Sequence, residues 1–363
     1  MKKKLQILFI ITTLVGFSLP IVRFNKTGTV SEKENRTLIL RPPLVRDGYL
    51  NKNAFSEYSA YFDDRFGGRG RLIALNTKLK FDVFKAAIFN DKAIRGKGDW
   101  WFYRLDGNHD DFYKRNLMSD EQLADFKNRV EQTAAWCKEQ GIPCIFLICP
   151  NKHSVYEEYY RFKRPAGITR ADQMTAILDE LGVGYLFPRD YLISKKKGFD
   201  FPLYYETDTH WNPQGAFLAF TLLREKISSV FPNVDFPRIE YETNIDHSMT
   251  SGDILPMLGL EKGRSTQPTL TPIGYEQTDF YTYLKNEGTK GVHTEGTNPA
   301  LPRALIFRDS FFSSLEPFVS PLFSEAEYHW KQFRAEDKEY VLQYKPDIII
   351  FESVERYSLD IVR

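Results

Sequence analysis

The sequence predicts an α/β fold built on a mostly parallel sheet, and three observations predict it. Pro143-Cys144-Ile145-Phe146-Leu147-Ile148-Cys149 and Lys345-Pro346-Asp347-Ile348-Ile349-Ile350-Phe351-Glu352 are unbroken apolar runs, as expected of strands covered on both faces. Helical spacings alternate with strands: one runs from Ser119 to Gln140, another from Arg170 to Leu181, and Val183-Gly184-Tyr185-Leu186-Phe187 follows the second. Arg303-Ala304-Leu305-Ile306-Phe307 repeats the apolar strand and passes through Arg308-Asp309-Ser310 into a helical stretch over 311–322.

In chain order, Met1-Lys2-Lys3-Lys4 precedes an apolar run from Leu5 to Val22. A bilayer needs ~17–25 such residues. The lysines favour a cytoplasmic N-terminus with the rest of the chain outside, and no small-x-small site follows, which favours an uncleaved anchor over a signal peptide. The anchor or signal segment is placed at 1–24. A helical lead-in follows at 25–94, with Phe55, Tyr58, Phe62, Phe66, Leu72, Leu75 and Leu79 at amphipathic spacing. The main domain is placed at 95–363. Its opening is marked by glycine turn signals before an aromatic strand in Gly96-Lys97-Gly98-Asp99-Trp100-Trp101-Phe102-Tyr103.

Within that domain, Ser119 with Gln122 starts a helix, and Gly141 ends it. Asn212 and Pro213 fit the cap and first position of a helix running to Val230. The span 231–302 is rich in Pro, Gly, Thr and Asn, has no strong period, and reads as an insertion of long loops and small strands.

Composition narrows function without choosing it. Forty-nine basic and 48 acidic residues leave a net charge of +1, which supplies no attraction for nucleic acid. The 29 Phe, 20 Tyr and 5 Trp suit sugar stacking, but core filling accounts for most of them. Cys137, Cys144 and Cys149 match no zinc spacing and read as small buried hydrophobes. No cofactor is called for. A metal site using Asp208, His210 and Asp253 lacks a further ligand at suitable spacing.

The chemistry concentrates in Tyr205-Glu206-Thr207-Asp208-Thr209-His210-Trp211-Asn212 and in Phe307-Arg308-Asp309-Ser310-Phe311-Phe312. A serine hydroxyl needs a base within hydrogen-bond reach, and the base needs a partner to fix its tautomer. Of the six histidines, His109, His247, His293 and His329 sit in polar or irregular settings and read as surface residues, and His153 is a weak rival. His210 has a carboxylate two residues away and a helix start behind it, so it is the expected base, with Asp208 as its orienter. Ser310 stands at a strand end, where open parallel sheets gather their sites, and its N–H is a candidate oxyanion donor. Asn151, just past another strand end, is a second candidate donor.

These two motifs resemble the SGNH-hydrolase-like domain of the alginate O-acetyltransferase family, periplasmic enzymes that acetylate exopolysaccharides. Glu34-Asn35-Arg36, Pro150-Asn151-Lys152, Ser251-Gly252-Asp253-Ile254, Lys345-Pro346-Asp347 and Glu355-Arg356 support the resemblance. It implies a flavodoxin-like three-layer sandwich in which the Asp-His pair precedes the serine, the reverse of ordinary SGNH esterases. It further implies an extracytoplasmic enzyme in which Ser310 takes up acetyl and passes it to a polysaccharide hydroxyl. A membrane-bound O-acyltransferase would supply the acetyl group. Asn151, Lys152, Arg308 and Trp211 are carried as candidate oxyanion or substrate-binding residues. Arg308 stands where many SGNH-like sequences have glycine, and the sequence does not continue into the carbohydrate-binding module of some relatives. Two other readings stay open: a carbohydrate acetylesterase using the same triad, and a non-catalytic glycan-binding component of a secretion complex.

Overall fold

The computed structural model describes residues 2–22, 24–27, 30–31, 36–46, 48–69, 71–72, 75–76, 79, 91–247, 252–258, 260, 267–284 and 291–363. Glu34, Asn35 and Ser251 of the family-like motifs lie outside them. The chain forms two compact units, 1–92 with 253–262, and 93–252 with 263–363.

In the smaller unit the expected membrane segment is a helix, Lys2–Val22, with exposed Leu5, Ile7, Phe9, Ile10 and Leu14. Among the described residues, however, no helix is long and apolar enough to cross a membrane. A second helix, Ala54–Arg65, covers the first part of the expected amphipathic run, and Phe55 and Phe62 on it are exposed. Its last residue, Arg65, is buried and donates to the carbonyls of Ile39 (2.8 Å) and Asn25 (3.1 Å).

The larger unit is organised on a seven-stranded sheet. Its strands in chain order are β1 (Cys144–Cys149), β2 (Tyr185–Leu186), β3 (Tyr281–Leu284), β4 (Val292–Gly296), β5 (Arg303–Phe307), β6 (Glu325–His329) and β7 (Ile348–Val354). Their spatial order is β3-β4-β6-β5-β7-β1-β2. All neighbours from β6 to β2 run parallel, and β3 and β4 extend the sheet antiparallel. The run 345–352 was read as a strand covered on both faces. Its strand β7 is central, between β5 and β1, which explains why every residue of it is buried.

Side-chain alternation along the strands divides the core in two. Ile145, Leu147, Ala304, Ile306, Ile348 and Ile350 pack on one face with helix α3 (Pro213–Val230), through Ala216, Ala219, Leu223 and Ile227. Phe146, Ile148, Leu305, Phe307, Ile349 and Phe351 pack on the other. There they meet α1 (Asp120–Glu139), α2 (Arg170–Leu181) and α4 (Lys338–Tyr344), through Phe126, Val130, Met174, Leu178 and Val341. The result is the three-layer sandwich. Capping forms as the sequence implies: Ser119 and Gln122 make a reciprocal box, and Asn212 accepts the Gly215 N–H at 3.1 Å with Pro213 inside the helix.

One local expectation differs, and the aromatic strand forms as expected. The stretch 311–322 is not one helix but a 3₁₀ turn (Ser310–Ser314), a single helical turn (Glu316–Val319) and a second 3₁₀ turn (Ser320–Leu322). Pro317 and Pro321 remove the amide donors that a continuous helix needs. The aromatic strand, Trp101–Tyr103, pairs only with Ala93–Arg95 in a separate hairpin.

Phe351 has ring centroids of Phe146, Phe333 and Phe307 at 5.2, 5.1 and 6.0 Å. Phe351→Ala is therefore expected to cost ~3–5 kcal/mol, measured by denaturant unfolding of the full chain.

Candidate active site

Strands β1, β5 and β7 are parallel, so their C-terminal ends bring Asn151, Ser310 and Glu355-Arg356 to one edge of the sheet. The Asp208-Thr209-His210 loop reaches the same edge from the isolated bridge between Tyr204 and Trp211. There His210 Nε2 lies 2.7 Å from Ser310 Oγ, and His210 Nδ1 lies 2.6 Å from Asp208 Oδ1. The same carboxylate oxygen accepts the His210 backbone N–H at 2.9 Å, which sets the imidazole against its orienter. Burial raises the carboxyl pKa of Asp208, but hydrogen bonds and charge from His210 outweigh it and hold the group at about 2. Asp208 is therefore ionised throughout the neutral range, and a neutral imidazole facing Ser310 can accept the hydroxyl proton.

The turn carrying Ser310 is held from below. Asp309 accepts the N–H of Phe311 (2.9 Å) with one carboxylate oxygen and that of Val354 (2.7 Å) with the other. Its own N–H goes to Glu352 Oε2 at 2.8 Å. Glu352 is fully buried, and burial followed by the nearby Asp309 charge pushes its pKa well above the ordinary carboxyl range. The turn thus rests on two carboxyl groups that accept its amides. As the first residue of the 3₁₀ turn, Ser310 has no intrahelical acceptor for its N–H.

The other expected site residues divide. Asn151 stays at the site: its Oδ1 accepts Arg356 Nη1 at 3.2 Å and its N–H goes to Glu355 Oε2 at 2.8 Å. Its Nδ2 is buried and makes no hydrogen bond, so it is a donor in reserve. Lys152 turns into the protein. It is buried, donates to the carbonyls of Tyr205, Glu206 and Asp208 at 3.0, 3.0 and 2.6 Å, and lies over the rings of Trp100 and Phe102. Trp211 is buried too, and its Nε1–H donates to the Phe311 carbonyl at 3.0 Å, which ties the histidine loop to the serine turn.

Arg308 also points into protein. It donates to the Asp309 carbonyl (3.2 Å) and Ser313 Oγ (2.8 Å), pairs with Glu316 (3.4 Å) and stacks on Trp330. All three side chains support the site from behind. The rival His153 is buried in a 3.0 Å pair with Asp111.

Sequence reasoning missed the supporting carboxylate Glu352, and it used Arg356 only as a motif match. Arg356 bonds Asn151 and lies 5.4 Å from the Phe311 ring centroid. Its position at the end of an apolar strand was the available signal.

The family model for the SGNH hydrolase-like domain of acetyltransferase AlgX matches residues 93–294, more than half of the chain. The chain belongs to this alginate O-acetyltransferase family. A probable alginate O-acetylase AlgJ of Pseudomonas syringae pv. tomato is 24% identical over 221 residues, covering 60% of this chain and 52% of that protein. The corresponding AlgJ of Pseudomonas putida is 24% identical over 186 residues, covering 50% and 44%. The chain spans about half the length of these curated relatives. Among solved structures, Bacillus cereus PatB1 superposes with a TM-score of 0.54 at 14% identity, over 74% of this chain and 97% of PatB1, and shares the fold. The family match ends before Ser310, so the serine rests on geometry.

For this SGNH-type domain two measurements check the supports. Gly252 has φ +68°, and a Cβ there would lie 1.9 Å from the Thr207 carbonyl oxygen. Gly252→Ala is expected to displace the Asp208–His210 loop, seen as lost activity and a lowered Tm. Glu355 is buried, and burial followed by the Asp111 charge raises its pKa to about 7 from 4.5. A raised carboxyl favours folding below about 4.5, and that contribution is lost as pH climbs to about 7. Across this window stability should fall by ~3 kcal/mol, and Glu355→Gln should flatten that slope in unfolding titrations.

Proposed function

We propose that the chain is an extracytoplasmic O-acetyltransferase that moves acetyl groups onto hydroxyls of an exopolysaccharide or cell-surface glycan through an acetyl-Ser310 intermediate. The observation that carries this reading is the contact chain Asp208–His210–Ser310, at 2.6 and 2.7 Å, in a member of an acetyltransferase family. Ser310 Oγ attacks the acetyl carbonyl carbon while His210 Nε2 takes its proton. The donor's C–O bond then breaks, and its oxygen leaves with that proton. A sugar hydroxyl next attacks the acetyl-serine, losing its proton to His210, which returns it to Ser310. The Ser310 N–H and the unpaired Asn151 Nδ2–H are the donors proposed for the tetrahedral oxyanion. Lys152, Trp211 and Arg308 position this machinery without touching substrate.

The helix Lys2–Val22 after a lysine-rich start is proposed as a membrane anchor, which would leave the catalytic domain outside. A membrane-bound O-acyltransferase is the proposed supplier of acetyl. An acetylesterase outcome is favoured by one feature: the His210 side chain remains 24% exposed, so water can compete with the sugar.

The test supplies the full chain with 4-nitrophenyl acetate and an acetylated-polymer oligosaccharide stripped of its acetyl groups. Wild type should gain one acetyl by intact-protein mass and then yield acetylated sugar. Ser310→Ala should show neither, and Asp208→Asn should slow turnover by roughly 10⁴-fold. Donor hydrolysis with no acetylated sugar selects the esterase. Unchanged activity of Ser310→Ala would remove both enzymatic readings.

A further inference from the structure

Strand β6 carries Glu325, Glu327 and His329 at alternate positions, so the three side chains leave one face of the sheet, while Ala326 and Tyr328 fill the core on the other. The antiparallel neighbour β4 sets His293 directly opposite Glu327. Both histidines read as surface residues in the sequence, yet they stand within the sheet.

The carboxylates are braced from outside. Arg303 Nε donates to Glu325 Oε2 at 2.8 Å, and the Tyr340 hydroxyl donates to Glu327 Oε2. Their remaining oxygens turn to His293, with Glu325 Oε1 3.1 Å from its Nε2 and Glu327 Oε1 3.9 Å from its Nδ1. His293 Nε2 is buried and makes no hydrogen bond in spite of that approach. One donor atom each from His293, Glu325 and Glu327 fall within 4.8 Å of one another, and His329 Nε2 lies 2.9 Å from Glu327 Oε2.

We propose that His293, Glu325 and Glu327 bind one divalent transition-metal ion of the zinc class that joins β4 to β6. Tetrahedral ligands about 2.0–2.2 Å from zinc stand roughly 3.3 Å apart, so the 3.1 Å pair of His293 and Glu325 already suits one ion. Rotation of Glu327 brings in the third donor. Mixed imidazole and carboxylate donors select zinc-class ions over calcium or magnesium, which take oxygen ligands. Arg303 and Tyr340 hold the carboxylates as outer partners commonly do at such centres. Side-chain exposures of 18% for His293, 28% for Glu325, 14% for Glu327 and 22% for His329 leave a path for entry. The bland alternative is an ion-pair cluster that needs no metal.

The full chain, stripped with chelator, is titrated with Zn²⁺ against a chromogenic competitor, with Co²⁺ followed by visible absorption and Ca²⁺ as control. The expected result is one Zn²⁺ per chain, a Zn²⁺-dependent rise in Tm and no response to Ca²⁺. His293→Ala and Glu327→Gln should abolish binding with unchanged far-ultraviolet circular dichroism. Tyr340→Phe, which retains every donor, should weaken it ~10–100-fold, and His210→Ala should bind as wild type. If His293→Ala does not fold, His293→Gln and Glu325→Gln read the same loss. Failure of wild type to bind Zn²⁺ at millimolar concentration, binding that survives in the folded His293 variant, or binding lost in His210→Ala would overturn the proposal.

Discussion

The triad-like geometry depends on an ammonium group that never meets the reacting atoms. The Asp208–His210 loop belongs to no strand of the main sheet; beside the short bridge at Tyr204 and Trp211, its backbone is held by the Trp101 N–H on the Glu206 carbonyl (2.8 Å) and by the Trp211 Nε1–H on the Phe311 carbonyl (3.0 Å). Lys152, at the end of β1, gathers three carbonyls of that loop onto one buried charge. Charge-assisted bonds to an ammonium desolvated between aromatic faces are stronger than neutral ones, and three from one centre define a curve as well as an attachment. The loop's position relative to β1, and hence to Ser310 two strands away, follows from that curve.

A second constraint lies beneath the nucleophile. The turn from β5 into Ser310 must leave a sheet whose central strands are buried on both sides, so its amides cannot turn to water. Asp309 and Glu352 take those amides instead. The two carboxyl groups are close, and burial followed by the Asp309 charge pushes the Glu352 pKa well above the ordinary carboxyl range. Glu355, under the Asn151 amide, repeats the pattern at the neighbouring strand end. Buried carboxyl groups thus serve this edge as hydrogen-bond acceptors as well as charges. The same arrangement makes stability sensitive to pH in the neutral range.

The antiparallel extension through β4 and β3 has a different character. The parallel strands read as apolar runs because both faces are covered. Beyond β5 the sheet has only partial cover from α4, and one face of β6 turns polar, as Glu325, Glu327 and His329 record. Whether those side chains form an ion-pair lattice or a metal centre, they hold the margin of the sheet where hydrophobic packing thins.

Much of this was legible in the residues. Apolar runs imposed the parallel strands, capping pairs at Ser119 and Asn212 set helix starts, and an Asp-x-His with a strand-end serine marked the site, because each signal lies within a few consecutive residues. β6 was not legible, since alternation over five residues between loop-like flanks is weak, and Pro317 and Pro321 were outweighed by their apolar neighbours. The same limit applied to side-chain roles. Lys152, Trp211 and Arg308 stood beside the motifs and were carried as candidate oxyanion or substrate-binding residues, but only the packed fold shows them bonded to carbonyls, a hydroxyl and a carboxylate behind the site. The sequence by itself determined which segments become strands and helices and which residue types could do acyl chemistry. Tertiary structure alone decided which polar groups face outward, because Lys152 finds its carbonyls more than fifty residues away and Trp211 its carbonyl one hundred away, and only folding brings such partners together.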